Sequence, residues 1–112
     1  MTEFEIPEIK TISIIGGTGK EGKGLAYRWA KAGYKVIIGS RLAEKAQAAA
    51  DDVVKLLNDS SAVVGLENPV AAQKADLVVM TVPFAAHVSM LESIKEHVQG
   101  KILVDVTVPL VP

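Results

Sequence analysis

The run Gly16-Gly17-Thr18-Gly19-Lys20-Glu21-Gly22 contains the pattern G-x-G-x-x-G at Gly17, Gly19 and Gly22. These residue types hold phosphates; they do not react with them. Gly17 is expected to permit a tight turn, Gly19 to leave room for a pyrophosphate, and Gly22 to let a following helix pack closely. A helix opening here offers unpaired N–H groups and the positive end of its dipole to an anion. Thr18 belongs to the same cradle. Lys20 and Glu21 also lie in it, and their side chains are expected to project to solvent. Such a motif is weak evidence alone, because glycines also mark plain turns. Its weight comes from its setting, after an apolar β-branched stretch and before a helical one.

A second group lies at Gly39-Ser40-Arg41, with Lys45 one helical turn later. About 20 residues past the glycines, a site for an unphosphorylated ribose places Asp or Glu to accept from the 2′-OH. No acid occurs here. A hydroxyl, a guanidinium and an ammonium suit a 2′-phosphate, which needs charge-assisted donors. Each such contact is worth roughly 1.5–3 kcal/mol. Two of them, even partly additive, give a preference for NADP over NAD of about a hundredfold. The plainer alternative is a solvated helix start, although cations near a helix amino terminus are disfavoured by the dipole.

Thr81-Val82-Pro83 and Thr107-Val108-Pro109 stand at the ends of two further strands, where ligands of doubly wound sheets gather. Thr81 and Pro83 are expected on the nicotinamide side, acting through backbone and shape. His87, one turn into the next helix, is a candidate contact or a partly buried helix residue. Asp105 is the only acid in an apolar strand, and His97 suits a helix carboxyl end. No Ser-His-Asp set, paired-carboxylate arrangement or Tyr-x-x-x-Lys pair is present, so no catalytic acid or base is assigned. Hydride transfer needs little of either, because the cofactor carries the chemistry.

These residues need strands and helices to position them. Thr11–Ile15, Lys35–Ile38, Ala62–Leu66, Leu77–Val82 and Ile102–Val108 read as strands. Helical spacing runs from Gly22 to a stop at Gly33, from Leu42 to Asn58, and from Phe84 through Val98 to Gly100. Asn68 is expected to cap a short helix that has Pro69 at its first position. Trp29, Met80 and Met90 read as packing residues. Near-continuous apolar strands joined by helices predict an α/β fold, a doubly wound parallel Rossmann-type sheet of order 3-2-1-4-5. Residues 1–10 read as a leader and 11–112 as one dinucleotide-binding domain. The stop soon after the fifth strand suggests a domain boundary or a truncation.

Composition narrows the remaining classes. The chain has 112 residues, 49% hydrophobic and 22% charged, with net charge −1, as expected of one ordinary globular domain. Without a basic stripe, nucleic acid is not an expected partner. There are no cysteines and only His87 and His97, so no metal site is assigned. No signal peptide or membrane span is legible, and the expected location is the cytoplasm.

Several segments together resemble one family. Ile14-Ile15-Gly16-Gly17-Thr18-Gly19-Lys20-Glu21-Gly22-Lys23-Gly24-Leu25-Ala26, Gly39-Ser40-Arg41 with Glu44-Lys45-Ala46, Thr81-Val82-Pro83, and Pro109-Leu110-Val111-Pro112 look like the amino-terminal domain of NADPH-dependent F420 reductases. The cytoplasmic domains of membrane-anchored metalloreductases are similar in the first two segments, with a different glycine loop. The resemblance implies that Thr18 to Gly22 hold the pyrophosphate and that Ser40, Arg41 and Lys45 hold the 2′-phosphate. It also implies that Val82, Pro83 and His87 lie near the nicotinamide. The family continues into a helical carboxyl-terminal domain that helps form the deazaflavin pocket and the dimer, and the reading of residues 11–112 as the NADP-binding domain alone carries the expectation that this domain is absent. Phe84 stands where tryptophan is common, and Asp105-Val106-Thr107 departs from the usual strand ending. The resemblance thus implies an NADP(H)-dependent oxidoreductase domain that exchanges hydride with a deazaflavin (F420) or flavin-like small-molecule acceptor, assembled as a homodimer or with a partner domain. A non-catalytic NADP(H)-binding module and a truncated fragment are the alternatives.

Overall fold

The computed structural model of the chain describes residues 9–59, 62–81 and 87–106, the side chain of His87 excepted. Strands and helices alternate along it. The strands are β1 (Thr11–Ile15), β2 (Lys35–Ser40), β3 (Val63–Glu67), β4 (Leu77–Met80) and β5 (Ile102–Asp105). The helices are α1 (Lys20–Lys31), α2 (Ala43–Leu57), α3 (Asn68–Lys74) and α4 (His87–Ile94), the last followed by a 3-10 turn at Lys95–His97. The sheet has the order β3-β2-β1-β4-β5, with every pairing parallel. This is the predicted doubly wound arrangement. The register sets Ile15 beside Met80, Met80 beside Asp105 and Ser40 beside Glu67, so the carboxyl ends of all the strands form one rim.

The period of two along each strand splits the core between two faces. Ile14, Val36 and Ile38 pack against Ala26 of α1 and Ala49, Ala50 and Val53 of α2. Ile15, Ile37, Val78 and Met80 pack against Ala71 and Ala72 of α3 and Ile94 of α4. Small alanines on α2 and α3 let both helices approach the sheet. Each fully buried Ile or Val contributes roughly 1.5–3 kcal/mol by leaving water, so both layers are needed to hold the rim in place. Lys101 reaches across and donates from Nζ to the carbonyls of Ala72 and Gln73, near the carboxyl end of α3. Asp76 ties the sheet's opposite end, accepting from the backbone N–H groups of Lys10 and Thr11 at 3.0 Å each.

Helix ends follow the expected chemistry at Gly33 and Gly100, which hold φ of 107° and 75°. Asn58 closes α2 in the left-handed region, φ 58°, its N–H donating to Val54 O.

Several expected boundaries shift. β2 runs on through Gly39 and Ser40, and β3 runs from Val63 to Glu67. α1 starts at Lys20 instead of Gly22. β4 stops at Met80 because β1, its partner, turns away after Ile15. β5 stops at Asp105 because its register partner is Met80. α4 tightens into a 3-10 turn before Val98, a common helix ending. Asn68 does not cap α3. Glu67 is the cap residue, and Asn68 lies inside the helix with its side chain turned into the protein. Residues 1–8 of the expected leader, Phe84 and residues 107–112 lie outside the described residues.

Candidate functional site

The glycine loop leaves β1 at the rim and enters α1. Its left-handed residue is Gly16, φ 70°, one position before the expected turn at Gly17. Gly17 is needed for closeness: a Cβ there would stand 2.7 Å from Ile14 Cγ2. Gly22 is needed for the same reason, since its Cβ would stand 2.4 Å from Gly17 O. The first turn of α1 therefore presses on its own loop. Gly19, the cap residue of α1, has nothing within 4 Å of a Cβ position and makes no side-chain cap hydrogen bond. That leaves an open approach to the amino terminus of a twelve-residue helix, the feature a pyrophosphate requires.

The loop is tied down from three directions. Gly16 N–H donates to Asn68 Oδ1 at 3.2 Å. Gly17 N–H donates to the carbonyl of Gly39 at 3.1 Å. The Thr81 hydroxyl is shared between the carbonyls of Ile15 and Gly16, at 3.4 Å each. Thr81 is buried, so its side chain braces the loop from the position just after β4.

Beside the loop lies a cleft of about 240 Å³ that collects Thr18, Ser40, Arg41 and Lys45. Two segments separated by the whole of α1 thus meet on one surface. Arg41 and Lys45 are exposed at the start of α2, and Ser40 is buried at the end of β2. Ser40 Oγ accepts from Leu42 N–H at 3.3 Å. An oxygen used as an acceptor keeps its own proton for donation, which suits a phosphate in the cleft. Asn68 and Met90 line the same cleft.

Lys20 and Glu21 are exposed and open onto a different hollow of about 390 Å³, shared with Arg28 and Val106. Val82 and Pro83 lie outside the described residues. His87 begins α4, and its side chain also lies outside them. Asn68 was missed as part of the site. One signal could have found it: Gly39 interrupts a β-branched strand, and an isolated glycine in a strand marks a close approach. A Cβ at Gly39 would stand 2.6 Å from Asn68 Oδ1.

Residues 11–109 match the family model described as NADP oxidoreductase, coenzyme F420-dependent. The chain is 50% identical over 103 residues to the F420-dependent NADP reductase of Methanothermobacter thermautotrophicus, covering 91% of this chain and 44% of that protein. It is 43% identical over 102 residues to the F420-dependent NADP reductase of Methanocaldococcus jannaschii, covering 88% and 45%. Among solved structures, a putative F420-dependent NADP-reductase from Arthrobacter sp. FB24 superposes with a TM-score of 0.69 at 30% identity, covering 89% of this chain and 46% of that one. Lactate dehydrogenase from Eimeria maxima, at 15% identity and TM-score 0.71, covers 96% of this chain and 38% of its own; it shares the fold. The chain spans less than half the length of these relatives. No helix among the described residues is long and apolar enough to cross a membrane. With the glycine loop, the Ser40-Arg41-Lys45 cleft and the match across residues 11–109 taken together, the chain belongs to the coenzyme F420-dependent NADP oxidoreductase family.

Proposed function

We propose that this chain binds NADP(H) across the rim and presents its nicotinamide for hydride exchange with a deazaflavin, coenzyme F420. The observation that carries the reading is the cleft in which Arg41, Lys45 and Ser40 meet Thr18 of the glycine loop. Thr18 to Gly22 would hold the pyrophosphate at the open amino terminus of α1. Arg41 would grip the 2′-phosphate with its planar fork, Ser40 would donate its hydroxyl proton, and Lys45 would add a point charge. Val82, Pro83 and His87 would border the nicotinamide. When bound, the nicotinamide supplies the hydride; the residues of this chain bind and orient it. The names of the relatives support F420 as acceptor.

The test is calorimetric titration of the chain with NADPH, NADH and NADP+ at fixed ionic strength. Tight NADPH binding and weak NADH binding are expected. Arg41→Ala should weaken NADPH by roughly 1.5–3 kcal/mol, about tenfold to a hundredfold, and leave NADH unchanged. Equal NADPH affinity in wild type and Arg41→Ala overturns the phosphate assignment. For the acceptor, NADPH should bleach the visible absorbance of F420. Failure to do so with the remaining part of the Methanothermobacter relative supplied overturns that choice.

A further inference from the structure

Asn68 stands at the junction of β3 and α3, 52 residues from the loop it touches. It is a polar side chain only 2% exposed. Its Oδ1 accepts from Gly16 N–H at 3.2 Å, and its Nδ2 donates to Met90 Sδ of α4 at 3.3 Å. The amide orientation follows from chemistry, because Gly16 N–H requires an acceptor. On the other side, Gly39 lacks a side chain at the point where one would collide with Oδ1, at 2.6 Å. Gly39 also accepts from Gly17 N–H. One buried amide, one bare strand residue and two consecutive loop N–H groups therefore form a single clamp. The clamp lies on the wall of the cleft that holds Thr18 and Arg41.

We propose that Asn68 is a positioning residue of the dinucleotide site: through Gly16 it holds the glycine loop in the one shape that presents Thr18 and the amides of α1 to a pyrophosphate. This rests on the NADP(H) reading above. Asn68 acts on the phosphate end common to both nicotinamide dinucleotides, whereas Arg41 acts on the end that distinguishes them. Without Asn68, Gly16 loses the acceptor for its N–H and can sample other backbone shapes, while Gly17 stays tied to Gly39 and Thr81 still reaches the Gly16 carbonyl. A loop competent only a tenth of the time lowers apparent affinity about tenfold for any ligand that needs it.

The experiment compares the wild-type chain, Asn68→Leu and Asn68→Asp. NADPH and NADH are titrated into each by calorimetry, and exchange of the Gly16 amide hydrogen is followed by NMR. Asn68→Leu should weaken NADPH and NADH by the same factor, about tenfold, keeping their ratio. Its Gly16 amide should exchange rapidly. Asn68→Asp keeps an acceptor of the same shape and should restore protection of the Gly16 amide. Unchanged affinity in Asn68→Leu overturns the proposal, as does a loss confined to NADPH, which would place Asn68 at the 2′-phosphate. If Asn68→Leu does not fold, Asn68→Asp decides: a protected Gly16 amide supports the clamp, and a freely exchanging one overturns it. A wild-type chain that binds neither dinucleotide overturns the NADP(H) reading and this proposal together. Wild-type binding with an indifferent Asn68→Leu overturns this proposal alone.

Discussion

Two glycines of α1, two positions apart, should respond to the same substitution with opposite signs. In a helix interior, Gly→Ala gains about 1 kcal/mol from reduced backbone freedom and better propensity. At Gly24 nothing lies within 4 Å of the new methyl, so Gly24→Ala should gain roughly 0.5–1 kcal/mol. At Gly22 the methyl would stand 2.4, 2.5 and 2.6 Å from Gly17 O, Cα and C. All three are backbone atoms, and Gly17 cannot retreat: its own Cβ position stands 2.7 Å from Ile14 Cγ2, and its N–H is bonded to Gly39. The helix must move by roughly 1 Å to restore ordinary contact. Overpacking of this kind costs about 1–3 kcal/mol, which exceeds the propensity gain. Gly22→Ala should fall below wild type while Gly24→Ala rises above it; the propensity gain is common to both, so the gap is the overpacking cost, about 1–3 kcal/mol. Urea unfolding followed by far-UV circular dichroism measures it, as opposite shifts in midpoint at constant slope. In melting temperature the gap is roughly 10 °C. Gly22→Ala as stable as Gly24→Ala would refute the reasoning, because the loop would then not lie pressed against the helix.

Other perturbations read other parts of the structure. The two backbone N–H groups of Lys10 and Thr11 hold the Asp76 carboxyl below the usual value of 3.8. Its contribution is therefore complete above about pH 5 and disappears as pH falls through the lowered value. The stability gap between wild type and Asp76→Asn should close as pH falls below the ordinary carboxylate value of 3.8; urea midpoints measured down through the acid range test this, and a gap independent of pH would count against it. Ser13 Oγ is fully buried and has no hydrogen-bond partner among the described residues. Ser13→Ala should be stabilising by up to about 1 kcal/mol, because an unmet buried hydroxyl carries its full desolvation cost. A lower urea midpoint in this variant would show that the hydroxyl is in fact satisfied.

Much of the framework was legible from periodicity. The β-branched runs at Thr11, Lys35 and Leu77, and the alanine-rich spacing that became α2, sufficed for the parallel sheet and its order. Element ends were less legible because partners set them. β5 ends where β4 does, and no local signal at Val106 announces this. In the site, the meeting of Thr18 with Ser40, Arg41 and Lys45 followed from the fold, since both segments sit at carboxyl ends of adjacent strands. The turn was expected one residue late because the motif starts at Gly17, whereas the positive φ falls on Gly16. Asn68 was read as a cap because local hydrogen bonding is the usual use of asparagine beside a helix. Its actual partner is distant in sequence, and only Gly39 hinted at it. The reach of Lys101 to the carbonyls at the end of α3 had no local signal.

The three ties on the glycine loop also bear on when the site comes into being. The motif is only seven residues long, yet its shape depends on groups that arrive late. Gly39 must already be in β2, Asn68 lies 52 residues downstream of Gly16, and Thr81 lies 66 residues beyond Ile15. Forming such contacts requires closing long loops, whose entropic cost grows with the logarithm of their length and slows folding. A nascent chain that has exposed only the first strand, helix and second strand therefore holds the complete motif without its working geometry. Cofactor competence should appear in a single late step, when β4 docks beside β1 and residue 81 reaches the rim. A dinucleotide that binds only the finished loop would then favour the folded state by mass action.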